Sequence, residues 1–388
     1  MLRVGLDWTA QASEVRAAIA PIARAAVDAH VTPGGVVAVA DRGTPAVIVP
    51  FGRTQTHPSG AGSEVGTDTI YDIASLTKPV ATSAVLMKLL EAGAIALDTP
   101  ARSLLPELVA TGSDEITIAQ LAGHAAGFPD HVKFYERLWS GDRAGAVSAR
   151  EALVRMAGAT PLVAPPGKMT RYSDVGYILL GAALERAAGE RLDRAAARLV
   201  LEPLAMHSAF FVDLEVAPSA RPAPSGPIGS IAPTELCPRR GLLVGEVHDE
   251  NAHAAGGVCG HAGLFATAGD VARFAAAMCA AVAGEPGWFS PAAARALVRT
   301  ESTPGSTWRL GWDTPAPAPG ASQAGDRWPR DGLGHLAFTG CSMWLDPPRG
   351  RHVVILTNRV HPTRQGTGIR ELRRAIMDAA VTALDGPI

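Results

Sequence analysis

A mixed α and β fold is what this sequence predicts. Helix-period apolar spacing recurs over residues 13–30, 75–91 and 176–188, whereas apolar β-type runs occupy 35–40, 46–51, 335–345 and 352–357. The chain has 388 residues, 47% hydrophobic and 19% charged, ample for a large core.

Residues 13–30 read as an Ala-rich helix, and the two β runs that follow are separated by Asp41-Arg42-Gly43, a hairpin signal. Residues 75–91 place Val80, Ala81, Ala84, Val85 and Leu89 on one helical face. Pro79 falls in the first turn and Gly93 closes the end. Helix formers and turn residues continue to about 205, with a turn at Gly127-Phe128-Pro129. A helix from about Gly176 to Ala188 is stopped by Gly189. The Pro, Ser and Gly-rich stretches 216–240 and 313–325 read as long surface loops. Gly256, Gly257, Gly260 and Gly263 mark tight turns before a helix near Asp270, and a last helix spans 368–384.

Charge and cysteine usage exclude several partners. A formal net charge of -2 gives no field for nucleic acid or an anionic membrane. No stretch approaches the roughly 18 apolar residues that span a bilayer, and the first residues lack an export-signal core, so a cytoplasmic location is expected. Cys237, Cys259, Cys279 and Cys341 form no Cys-x-x-Cys pair and are expected to be reduced and structural. Gly332-x-Gly334-x-x-Ala337 has dinucleotide-loop spacing, but a strand follows where a helix is needed, so no cofactor is implied.

Ser75 lies at the start of its helix, where a serine is usually an N-cap. Lys78 is three residues on, on the same face. A lysine beside the positive helix end, and buried, is expected to have a lowered pKa, leaving a neutral amine able to take the serine proton. Tyr172 and Asp174 fall in the loop before the 176–188 helix, from which side chains can enter a cleft. His124 reads as a hydrogen-bonded structural histidine. His248 and His253 are five apart and no His-Glu-x-x-His is present, so a metal-dependent hydrolase using the His248 to His261 region is a minor reading.

Taken together, Ser75-x-x-Lys78, Tyr172-Ser173-Asp174 and His335-Leu336-Ala337 resemble the three motifs of the serine β-lactamase and penicillin-binding protein superfamily. The likeness is greatest to class C β-lactamases and related carboxylesterases. YDIASLTKPV, ITIAQLAGHAAGFP, APPGKMTRYSDVGYILLG, GHAGLFATAGDVARF and HLAFTGCSMWLDP extend it over about residues 15–380.

The resemblance implies an antiparallel sheet flanked by helices with an inserted, mostly helical region. In residue terms that is one domain over 1–388, with an α/β region of about 1–70 plus 206–388 and a helical region of about 71–205. It also implies that Ser75 is the nucleophile and that Lys78 and Tyr172 share the proton work. The oxyanion would be held by the N–H groups of Ser75 and Phe338, with Asp174, His335 and Ala337 against the substrate.

Three positions depart from the family pattern. Asp174 stands for the usual Asn and could pair with Lys78. His335 stands where class C enzymes have Lys, offering weaker positive charge. Ala337 stands for Gly, adding a methyl beside the substrate. The expected partner is therefore a small ester or amide, with a β-lactam less favoured, and the expected activity is an esterase-like serine hydrolase without metal or cofactor. A peptidoglycan-peptide-binding protein without turnover is the alternative. Oligomeric state is not legible.

Overall fold

A computed structural model describes residues 8–56, 62–216 and 230–386. Among them are ten strands and twelve α-helices. The strands are β1 (Gly34–Ala40), β2 (Val47–Gly52), β3 (Tyr71–Asp72), β4 (Phe210–Phe211), β5 (Leu236–Cys237), β6 (Gly241–Leu242), β7 (Leu264–Ala266), β8 (Leu333–Leu336), β9 (Ser342–Asp346) and β10 (Arg351–Thr357). The helices are α1 (Trp8–Asp28), α2 (Ala84–Glu91), α3 (Ala101–Leu104), α4 (Ile118–Ala122), α5 (Phe134–Trp139) and α6 (Ala149–Gly158), then α7 (Asp174–Ala188), α8 (Leu192–Ala196), α9 (Glu250–Ala254), α10 (Ala268–Ala283), α11 (Pro291–Arg299) and α12 (Ile369–Asp385).

Five strands form one antiparallel sheet in the order β2-β1-β10-β9-β8. Every residue of β1 and β10 is buried, because helices cover both faces. Strand alternation sends Val37 and Val39 into a core with Val15 and Ile19 of α1 and Ile376 and Met377 of α12. Val36 and Ala38 point the other way, into the larger core shared with Phe274 of α10 and the helical region. This layout is the helix-flanked antiparallel sheet expected from the resemblance.

Several elements differ from the sequence reading in instructive ways. The run at 335–345 is two strands, β8 and β9, joined by a turn at 337–341. Asp174 is the first residue of α7 instead of a loop residue, and Ser173 caps that helix by accepting the Gly176 N–H. The predicted loop 313–325 is partly tied down, since Asp313 bridges to Gly334 and Ala324 is buried. Residues 217–229 of the other predicted loop lie outside the described residues. All four cysteines are free and buried. No helix among the described residues is long and apolar enough to cross a membrane.

Candidate active site

Strand β3 delivers the chain to a sharp corner. Tyr71 and Asp72 pair with Ala266 and Phe265 of β7, and then Ala74 adopts φ +45°, a left-handed conformation costing about 1–3 kcal/mol for a residue with a Cβ. Buried Asp72 supports the corner: one carboxylate oxygen accepts the Ala74 N–H (2.8 Å) and the other the His248 N–H (2.7 Å). A helical run follows as a 3-10 turn (Ala74–Leu76), a π segment (Lys78–Ser83) and then α2. Such π segments recur at functional sites. Ile73 occupies the N-cap position with no side-chain bond, so Ser75 is not the cap its position predicted. Its hydroxyl accepts instead from the Tyr172 hydroxyl, at 2.9 Å.

Lys78 is wholly buried and has three acceptors: Tyr172 Oη (2.6 Å), Asp174 Oδ1 (2.7 Å) and the main-chain oxygen of His261 (3.1 Å). An ammonium carries three donors and no lone pair, so this set saturates it. Burial alone would lower its pKa, but the Asp174 charge, followed by Tyr172, outweighs burial and raises it. The neutral amine expected from helix dipole and burial is therefore corrected: an acid 96 residues away keeps Lys78 cationic. Burial opposes ionisation of Asp174, yet Lys78 beside it and His131 hold it well below the usual carboxylate range. His131 Nδ1 stands 3.6 Å from the second Asp174 oxygen.

The tyrosine links this cation to the serine. Burial raises the Tyr172 phenol pKa while Lys78 pulls it down, and the net shift is upward, so the resting group is a neutral phenol. It accepts from Lys78 and donates to Ser75. Its ring is held by His124 (4.7 Å between centroids) and Trp308 (5.4 Å). His124 Nδ1 accepts the Ser173 N–H at 3.1 Å, and burial keeps the ring neutral. That makes it the structural histidine expected.

His335, on β8, is 1% exposed. Its Nδ1 lies 2.8 Å from the Leu336 carbonyl oxygen, which assigns the proton to Nδ1. Burial and then the Lys78 charge push its pKa down to about 3. The weak positive charge expected of this residue is thus absent at neutral pH.

A cavity of about 600 Å³ brings the pieces together, with Ser75, Tyr172, Asp174, His335, Ala337 and Phe338 all on its wall. Ser75 is the second residue of its helical run, so its N–H has no intrahelical acceptor. Among the described residues no acceptor engages the Phe338 N–H either.

The region read as a minor metal candidate is built of paired groups. His248 meets Glu235 (3.1 Å), His253 meets Glu246 (3.2 Å) and His261 meets Asp249 (2.8 Å). No group of three or more His, Cys, Asp or Glu side chains among the described residues could hold a metal ion.

The Asp249–His261 pair has a structural task that sequence reasoning missed. Gly181 of α7 and Gly260 pack so closely that a Cβ on Gly260 would stand 2.2 Å from the Tyr177 carbonyl oxygen. That contact seats the His261 carbonyl on Lys78. Burial disfavours the His261 cation, but the Asp249 carboxylate raises its pKa to about 10. A raised folded pKa contributes stability that is complete below the unfolded value, about 6.5, and is lost as pH rises through about 10. His261→Asn is therefore expected to show its largest loss in urea midpoint near pH 6, shrinking towards pH 10. A pH-independent deficit would contradict the charged pair.

Residues 19–377 match the Beta-lactamase family. The chain belongs to the Beta-lactamase family. Within that family, a protein of Escherichia coli (strain K12) named "Putative D-alanyl-D-alanine carboxypeptidase" is 31% identical over 318 residues, covering 76% of this chain and 70% of that relative. Among solved structures, "EstCE1, a hydrolase with promiscuous acyltransferase activity" superposes with a TM-score of 0.71 at 22% identity, over 95% of this chain and 99% of that one. A penicillin-binding protein homologue from Pyrococcus abyssi does so at 0.67 with 19% identity, over 97% and 77%. The two structural likenesses speak for the fold, and the family and its relatives make this Beta-lactamase family member a serine hydrolase.

Proposed function

We propose that this serine hydrolase forms an acyl-enzyme at Ser75 and acts on small esters in preference to β-lactams. The observation that carries the reading is the unbroken chain Lys78–Tyr172–Ser75, with bonds of 2.6 and 2.9 Å. In the reactive form Tyr172 has lost its proton to solvent and stands as a phenolate stabilised by the cationic Lys78; it takes the Ser75 proton as Oγ attacks the carbonyl, becoming a neutral phenol. The N–H groups of Ser75 and Phe338 would receive the oxyanion. The phenol gives that proton to the departing alkoxide as the tetrahedral adduct collapses, and the regenerated phenolate takes a proton from the water that hydrolyses the acyl-enzyme.

The preference for esters rests on the charges around the cavity. His335 is neutral and Asp174 is taken up by Lys78, so the second and third motifs offer no free cation to a substrate carboxylate. Arg364 is bonded to Glu235 and Glu250. Trp308, Leu336, Ala337 and Phe338 supply apolar wall suited to an acyl chain. Arg359 and Arg373, also on the wall, donate to main-chain carbonyls and Gln323, so carboxypeptidase action, the activity in the name of the Escherichia coli relative, would require one of them to turn to the substrate carboxylate.

The test is a panel of short-chain nitrophenyl esters, a chromogenic cephalosporin and a D-alanyl-D-alanine peptide, run on wild type and Ser75→Ala. Ester turnover that exceeds the other two and is lost in Ser75→Ala is expected. Equal turnover by the variant would remove the assignment of the nucleophile, and faster cephalosporin or peptide turnover would remove the ester preference.

A further inference from the structure

Arg373 of α12 stands against the ordinary pattern for a buried cation. Its side chain belongs to a residue only 5% exposed, and among the described residues it bonds to no carboxylate. Buried charges are normally paired with opposite charge, because desolvation costs several kcal/mol. Here the partners are neutral: Nε donates to the Gly340 carbonyl (3.1 Å), Nη1 to Gln323 Oε1 (2.7 Å), and Nη2 to the carbonyls of Ala337 (2.8 Å) and Cys341 (2.9 Å). Burial pushes its pKa down to about 10, which still leaves it charged at neutral pH.

Three of those four acceptors belong to the turn joining β8 to β9, and one has particular chemistry. The Ala337 carbonyl and the Phe338 N–H are two ends of a single peptide unit, whose resonance couples them. A cation donating to the oxygen draws electron density along O–C–N and makes the N–H a stronger donor, as in cooperative hydrogen-bond chains. The Gly340 N–H also donates to the same oxygen, at 3.2 Å. Arg359 Nε holds the next carbonyl, Phe338 O, at 2.9 Å. Phe338, whose N–H is unengaged within the described residues, lines the cavity that contains Ser75.

We propose that Arg373 is a positioning residue that uses its uncompensated charge to fix and polarise the Ala337–Phe338 peptide, strengthening the Phe338 N–H as an oxyanion donor. The proposal rests on the acyl-enzyme reading above. Because the N–H is aimed at charge that develops only in the transition state, loss of Arg373 lowers kcat and leaves KM nearly unchanged. Deleting an oxyanion donor outright costs about 10²–10³ in kcat, so weakening one is expected to cost about 10-fold.

The experiment compares wild type, Arg373→Met and Arg373→Lys by infrared difference spectroscopy of the acyl-enzyme made from a carbonyl-¹³C nitrophenyl ester. Steady-state kinetics and thermal midpoints are measured on the same proteins. In wild type the ester carbonyl stretch is expected at lower frequency than in the denatured acyl-enzyme. It should move back upward in Arg373→Met and by a smaller amount in Arg373→Lys, with kcat falling and KM holding. Arg373→Lys keeps the buried charge, so it provides the readout if the Met variant does not fold. Wild-type frequency and kcat in either folded variant would overturn the role of Arg373 alone. A wild type that forms no acyl adduct would overturn the acyl-enzyme reading and this role with it.

Discussion

Tyr172→Phe is expected to lower kcat/KM for a nitrophenyl ester by about 10²–10⁴, the usual range for removing a group that moves a proton in the transition state. Only one oxygen is lost. That oxygen nonetheless bonds to both Lys78 Nζ and Ser75 Oγ. The ring remains held between His124 and Trp308, so little loss of stability from packing is expected. Steady-state kinetics with a parallel thermal melt checks both halves. A variant within threefold of wild type would mean that Lys78 reaches Ser75 by another route.

Asp174→Asn carries the second large effect, and its signature is a shift in pH dependence. The Asp174 charge raises the pKa of Lys78 and of Tyr172, so its removal makes both easier to deprotonate. The alkaline rise of kcat/KM is expected to move to lower pH by about one to three units, the scale set by one close charge. Stability should respond with its own sign. In wild type the folded Lys78 pKa is raised, so its stabilisation is lost as pH rises through that value. The folded Asp174 pKa is depressed, so its share is lost as pH falls below the ordinary carboxylate range. Stranding a buried cation costs about 3–5 kcal/mol. The deficit of Asp174→Asn should therefore be greatest around neutral pH and narrow at high pH, where the unpaired lysine sheds its proton. A pH–rate profile unchanged from wild type would contradict the charge lock.

What the sequence disclosed, and what it withheld, follows from the range of each interaction. Ser75 and Lys78 were legible as a pair because helical spacing puts them on one face, whereas Tyr172, in the loop before a helix, was picked out only by the resemblance of the three motifs taken together. The sheet was legible in outline, since β1, β2 and β10 are continuous apolar runs. The protonation state of Lys78 was not, because the deciding carboxylate arrives through tertiary packing. His335 looked like a weak cation for the same reason: only the folded surroundings bury it and set it near Lys78. Arg373 gave no signal at all. An arginine on a helix with a polar face is ordinarily a solvated side chain, and nothing local says that this one points into the β8–β9 turn.

The most direct test of the account is the position of the covalent adduct. After incubation with a fluorophosphonate, digestion and mass spectrometry are expected to find the label on Ser75 in wild type, formed far more slowly in Tyr172→Phe and absent in Ser75→Ala. A label on any other residue, or equal labelling of Ser75→Ala, would contradict it.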